Sequence, residues 1–441
     1  MPDTIIRNAQ IHGGEPLDVV IEDGVIVEIG SSPGGSATEE IDAAGLLLLP
    51  GVFDAHIHFN EPGREHWEGF ATGSRALAAG GGTSFVDMPL NAAPPTIDRE
   101  SFEKKCDAGE ASSVLDFALW GGLIPGNLDR LEELADCGVI GFKAFMIDSG
   151  IADFPGIDAG TLREGMKIAS RLGLPVAVHA EDETMIAEKS RTLREAGNTG
   201  VRGFLDSRPL ASELEAVRVA LDLAAETQCR LQIVHVSCPE AVEMISSAKY
   251  RGVDVTCEVC PHHLLLNENA MFELGALAKC APPLRDEARR AGLWNDVLSL
   301  SVDSIGSDHS PAPPDMKQGD DMFAVWGGIM GCQHGFLLLL DRVLDQCPEK
   351  LSAIWELVSG RPAARLGFGK RKGRIAPGFD ADILLVERTA PREIAAAELL
   401  YRHKTSPYVG MKIASRVARS LLRGRDVGLS GATGCFLPRE L

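Results

Sequence analysis

Six residues in this chain have the types and settings needed to bind metal ions. His56 and His58 lie two apart in the apolar stretch Pro-Gly-Val-Phe-Asp-Ala-His-Ile-His-Phe-Asn, at positions 50–60. Read as a strand, that stretch puts both imidazoles on one face. An isolated His-x-His reads more readily as a pair of surface or hydrogen-bonded core histidines than as ligands. The rest of the chain shifts that balance. His179 ends the apolar run Val-Ala-Val-His, His235 ends Ile-Val-His, Asp308 follows Ile-Gly-Ser, and Lys143 interrupts Gly-Phe-Lys-Ala-Phe. Each is a polar group at or near the end of a strand-like segment. Imidazoles and a carboxylate gathered at one place make a site for divalent cations.

Lys143 needs its own account, because an ammonium beside metal ions is repelled and a buried free lysine is costly. Two physical solutions exist: a salt bridge to an acid, or reaction of the amine with CO2 to give a carbamate. A carbamate supplies two anionic oxygens that can bridge two ions. His56, His58 and Asp308 would then hold one ion, and His179 and His235 the other. This donor set suits Zn²⁺, and it accommodates Co²⁺, Mn²⁺ or Fe²⁺ as well.

The elements that must position these groups are short apolar strands alternating with amphipathic helices. Strands are expected over 52–59, 83–88, 115–120, 141–147, 175–179, 230–236, 253–259 and 304–307. Helices are expected between them, for example over 211–227 and 285–298. Eight such βα units predict an α/β fold of the (β/α)8 TIM-barrel type, with chemistry at the C-terminal strand ends. A doubly wound open sheet has the same periodicity, but no Gly-x-Gly-x-x-Gly or P-loop supports it. Gly80-Gly81-Gly82 precedes a strand instead of linking a strand to a helix. The first 49 residues and those from 373 onward read as short strands separated by Gly-Gly and Asp-Gly turns. We expect a composite β-sandwich domain from 1–49 and 373–441, around a hydrolase barrel at 50–372.

Composition narrows the partners. The chain has 441 residues, 45% hydrophobic, with a formal net charge of -20. That charge argues against nucleic acid. No apolar run is long enough to span a membrane, and the N-terminus lacks a basic segment before an apolar core. The 10 cysteines are scattered through apolar stretches, as expected for reduced thiols in a cytoplasmic protein.

The motif set resembles the cyclic amidohydrolases, the group containing dihydroorotases and hydantoinases. The segments carrying the resemblance are His56-Ile57-His58-Phe59-Asn60-Glu61-Pro62-Gly63, Trp67-Glu68-Gly69-Phe70 and Asp87-Met88-Pro89-Leu90-Asn91. Lys279-Cys280-Ala281-Pro282-Pro283, Ser307-Asp308-His309-Ser310-Pro311 and Pro377-Gly378-Phe379-Asp380-Ala381-Asp382 complete it. Nearly the whole chain is covered.

The resemblance implies a barrel with a β-sandwich, a carboxylated Lys143 and two divalent ions per subunit. It also implies a small-molecule substrate and a homo-oligomer, dimer or tetramer. Apolar helical residues 335–344 are a candidate interface. Dihydroorotases carry Arg where this chain has Asn60, and His where it has Ala312. Neither residue neutralises a carboxylate, so a neutral cyclic ureide is expected. Hydantoinases and dihydropyrimidinases usually show His-Thr-His and a different loop after the catalytic Asp; they are the alternative branch. A non-catalytic scaffold would have lost ligands, and all are here. The implied reaction is attack by hydroxide, formed at neutral pH because metals lower the pKa of water, on a ring carbonyl. Asp308 would move the proton to the leaving nitrogen. Asn60, Asn91, Ser310 and backbone near Cys280 are candidates for holding the substrate.

Other polar residues read as structural. Cys257-Glu258-Val259-Cys260 has zinc-knuckle spacing but no second cysteine pair, so a core strand is expected. His262 and His263 are expected to support structure, and His309 to point away from Asp308. His12, His66, His334 and His403 read as surface residues. The Glu181-Asp182 pair is open between orienting an imidazole and simple solvation.

Overall fold

The computed structural model describes residues 2–31, 35–428 and 434–439. Its centre is a parallel barrel in two hydrogen-bonded arcs. Val52–Ile57, Gly82–Asp87 and Asp116–Leu119 form one arc. Gly121–Gly122, Phe142–Phe145, Val176–His179, Leu231–Ile233, Val255–Val259 and Ser304–Ile305 form the other. The arcs join at both seams. Ile140 N donates to Leu119 O at 3.1 Å, and on the far side His58 N donates to His309 O at 2.9 Å. The eight expected strands are therefore present; the second is shifted by one residue to Gly82–Asp87 and the others are shorter than expected.

Helices cover the barrel because their apolar faces match the outward strand residues. In Leu210–Thr227, for example, Ala216, Val217, Ala220, Leu221 and Ala224 are buried. Capping follows the sequence: Asp98, Asp158, Asp182 and Asp286 each accept from a backbone N–H in the first turn of their helix. The triple glycine is a helix-to-strand turn. Gly81 has φ +94, and a Cβ there would meet Leu384 at 2.7 Å, so this turn abuts the terminal sheet.

Strands from both chain ends build one eight-stranded mixed sheet. Leu47–Pro50 pairs in parallel with Thr4–Ile11 and antiparallel with Ile383–Glu393, which continues to Lys412–Leu422. Its core is Ile6, Val19, Ile21, Ile26, Leu48, Ile383, Leu385 and Leu421. Not every residue after 373 joins this sheet. Phe117 N donates to Cys435 O at 3.0 Å, and Leu437 N to Phe117 O at 2.7 Å, so 434–439 runs beside a barrel strand. Lys372 ties sheet to barrel, lying 2.7 Å from Asp116, 2.9 Å from Asp380 and 2.7 Å from Asp382, all buried.

Two expectations are corrected. The helix Gly335–Gln346 has Gly335 to Asp341 and Val343 buried within the chain, so it is core and not an interface. His334 is buried beside Glu398 at 3.2 Å; it read as surface because it lies outside the strand ends.

Candidate metal centre and its cavity

The first barrel strand and the segment after the eighth set the centre. Asp308 N donates to His56 O at 2.9 Å, and His58 N donates to His309 O, so the two imidazoles and the carboxylate are held in register. Asp54 clamps the same seam, accepting from His56 N at 3.2 Å and Ser307 N at 3.0 Å. Burial pushes the Asp54 carboxyl up to about 7. The outcome is compact. Asp308 Oδ1 lies 3.2 Å from His56 Nε2 and 3.4 Å from His58 Nε2. These three groups form a cluster able to hold a divalent metal.

His179 and His235, from the fifth and sixth strands, complete the ring. Their centroids are 4.6 Å apart, and His235 is 5.5 Å from His56. Lys143 pairs in register with Ala177, completely buried, its Nζ 4.7 Å from the centroid of Phe145. All six expected donors thus come together on one rim. Two of them fit that role: Lys143 Nζ and His235 Nδ1 are buried without a hydrogen-bond partner. Orphaned buried polar atoms are costly; a lone imidazole nitrogen suits a cation, and a lone amine suits carbamate formation.

The protonation states also suit cations. Burial lowers the pKa of His58, His179 and His235, keeping the imidazoles neutral with lone pairs available. Burial alone would raise Asp308, but the His56, His58 and His235 rings outweigh it and hold the carboxyl well below its usual range. Burial brings Lys143 down to about 8.

Of the two carboxylates behind the donors, the sequence left Glu181 open and did not single out Glu258. Glu258, from the seventh strand, lies 2.6 Å from His56 Nδ1. Glu181 is 2.7 Å from His179 Nε2 and is paired with Arg208. Burial would raise Glu181, yet Arg208 and His179 bring it down to about 2. Carboxylates in these positions fix which imidazole nitrogen faces the centre. Glu181 is thereby settled as an orienting group, while Asp182 caps a helix. The available signal for Glu258 was a lone charge in an apolar strand.

A cavity of about 460 Å³ opens on the centre, touching His56, His58, His179, His235 and Asp308. Asn91, Cys280 and Ser310 line it as expected, and Asn91 Nδ2 donates to Ser310 Oγ at 3.4 Å. Asn60 does not line it. Its carboxamide is fully buried and donates to Pro311 O at 3.2 Å, which makes it a brace for the Asp308 loop and corrects the expected substrate contact. Phe145, Phe204, Arg208 and Trp326 are lining residues the sequence did not single out, and Lys279, quoted there only within a motif, lines it too. His309 turns away, its Nδ1 accepting from Gly331 N at 3.2 Å.

The backbone records the same concentration. Ten non-glycine residues among those described have positive φ, and four of them are Asn60, Asn91, His235 and Asp308. Left-handed backbone costs energy at such residues and gathers where a site imposes geometry.

A parallel barrel with this donor set at its C-terminal rim defines a metal-dependent hydrolase, and comparison with known proteins agrees. The chain belongs to the amidohydrolase family, which matches residues 47–425. It is similar to allantoinase of Rubrobacter xylanophilus, 51% identical and covering 99% of this chain and 97% of that one. Allantoinase of Solibacter usitatus is 49% identical over 97% and 94%. Among solved structures, L-hydantoinase (dihydropyrimidinase) from Arthrobacter aurescens superposes with a TM-score of 0.96 at 30% identity, covering 100% of both chains. In the described residues, no helix is long and apolar enough to cross a membrane.

Proposed function

We propose that this protein hydrolyses the cyclic amide bond of allantoin, opening the hydantoin ring to allantoate, at a centre of two divalent cations. The observation that carries this reading is that five of the six donors, His56, His58, His179, His235 and Asp308, open on one cavity with Lys143 buried behind them, in a chain about half identical to allantoinases over nearly its full length. His56, His58 and Asp308 would hold one cation and His179 and His235 the other, with Lys143, carboxylated by CO2, as the anionic donor they would share. Zn²⁺ suits the donors best; Co²⁺, Mn²⁺ and Fe²⁺ are compatible. Bound cations supply a nucleophile at neutral pH and polarise the carbonyl.

The chain's own residues do the rest. Asp308, held ionised, accepts the proton of the attacking water at its carboxylate and returns it to the departing ring nitrogen. Asn91 and Ser310 present an amide and a hydroxyl to the ureide, with Cys280 backbone opposite. Asn60 keeps the 308–312 loop in place through Pro311. Both cations lining the cavity are engaged elsewhere: Arg208 with Glu181, Lys279 with Val325 O and the Phe204 ring. A neutral ring therefore suits the cavity better than a carboxylated one. The subunit works in the cytoplasm as a homo-oligomer, dimer or tetramer.

A second reading has one observation in its favour, the close superposition on a hydantoinase. The test is parallel hydrolysis of allantoin, hydantoin, dihydrouracil and dihydroorotate by metal- and bicarbonate-reconstituted protein. Preference for allantoin is expected. Preference for hydantoin or dihydrouracil would move the protein to the sister branch, and preference for dihydroorotate would overturn the argument from Asn60 and Ala312.

A further inference from the structure

Immediately after the seventh barrel strand, the turn that opens Pro261–Leu265 gathers Cys260, His262 and His263. All three are buried, and their ligand atoms lie within 4.8 Å of one another. None belongs to the six donors described above. The polar atoms here are left over. Both nitrogens of His262 and Nδ1 of His263 have no hydrogen-bond partner, although the two side chains are 0% and 3% exposed. His263 Nε2 lies 3.1 Å from Pro282 O, to which it donates. That bond fixes the tautomer and leaves the Nδ1 lone pair free, the arrangement by which a backbone carbonyl orients a metal-binding histidine. The two imidazoles are close, with centroids 4.3 Å apart.

We propose that Cys260, His262 and His263 form a further metal site, separate from the binuclear centre, for a soft or borderline transition-metal ion such as Zn²⁺. Bonds of about 2.3 Å to sulfur and 2.0–2.1 Å to nitrogen at tetrahedral angles place ligand atoms roughly 3.3–3.6 Å apart. From separations within 4.8 Å, closure needs ring and thiol movements of about 1 Å. One thiolate and two neutral imidazoles select Zn²⁺, Co²⁺ or Cu⁺ over Mg²⁺ or Ca²⁺. On binding, the Cys260 thiol gives its proton to solvent and its sulfur lone pair to the ion, and the fourth position remains for water. The ion would fasten His263, and through Pro282 the Cys280–Ala281 wall of the substrate cavity.

The test uses the spectral difference between the sites. None of the six donors carries sulfur, so a thiolate-to-cobalt charge-transfer band in the near ultraviolet that is lost with Cys260 reports this site, and Cys280 at the cavity wall is distinguished by surviving that change. Full-length protein carrying Cys435→Ser, which removes the exposed thiol, is stripped and reloaded with Co²⁺, and metal is counted per chain. The expected result is three ions and the band. Cys260→Ser should abolish the band and leave two ions, and His262→Gln should weaken both band and third-site uptake. Absence of the band at saturating Co²⁺ would overturn the proposal, as would a band that survives Cys260→Ser. Should Cys260→Ser fail to fold, the parent band and His262→Gln decide. Failure of the binuclear reading would change the ion count and leave the band, so the two outcomes are distinguishable.

Discussion

His56 Nδ1 and Glu258 Oε1 lie 2.6 Å apart, on the first and seventh barrel strands, both completely shielded from solvent. Glu258 is held in turn by Gln232 Nε2, 3.0 Å from its other oxygen. The carboxylate turns His56 Nε2 toward Asp308. Glu258→Gln should therefore weaken metal binding about 10–100-fold, the usual cost of losing such a partner. Competition against a chelator measures this; unchanged affinity would show that His56 is oriented by packing alone.

Lys143→Ala should remove most activity and part of the bound metal. Added short carboxylic acids, which replace a bridging carboxylate, should restore some turnover. Wild-type activity in the variant would refute the bridging role.

Lys372 neutralises a pocket of three carboxylates at the barrel–sheet junction. Burial drives its pKa down, but the pull of Asp382, Asp116 and Asp380 wins and raises it. Lys372→Met leaves buried acids uncompensated and should cost about 3–5 kcal/mol of stability. A denaturant midpoint shift worth under about 1 kcal/mol would mean Arg423, which also pairs with Asp116, is sufficient.

His334 gives stability a pH dependence. Burial brings it down to about 4, against the opposing pull of Glu398. Its unfolded value is near 6.5, so between about pH 6.5 and 4 the unfolded chain binds the extra proton. Stability is full above that window and falls as pH falls through it, by about 3 kcal/mol for a gap of this size. Unfolding midpoints across the window should fall less steeply in His334→Gln; parallel profiles would assign the acid loss to other groups.

Much of the site was legible because strand periodicity and strand-end chemistry reinforce each other. Each of His56, His58, Lys143, His179, His235 and Asp308 sits where an apolar run meets a polar residue, and that local contrast survives in a single sequence. Partners brought together only by the barrel leave no such trace. Glu258 and His56 are 202 residues apart, and nothing in either neighbourhood marks the pairing. Asn60 shows the converse. Its position beside His58 suggested a substrate contact, but the left-handed backbone at 60 turns the carboxamide toward Pro311. Apolar 335–344 looked like an interface because composition alone does not separate a face covered by another subunit from one covered by the chain's own strand Lys412–Leu422.

The sheet drawn from both chain ends has a consequence for biosynthesis. Leu47–Pro50 needs Ile383–Glu393 as a neighbour, and domains assemble as the chain emerges at about 5–20 residues per second. The N-terminal strands therefore wait tens of seconds on the ribosome with an open edge, while the barrel between them is still being made. A nascent chain stalled before residue 383 should be cleaved by protease within its first 50 residues, and the released full-length protein should resist there.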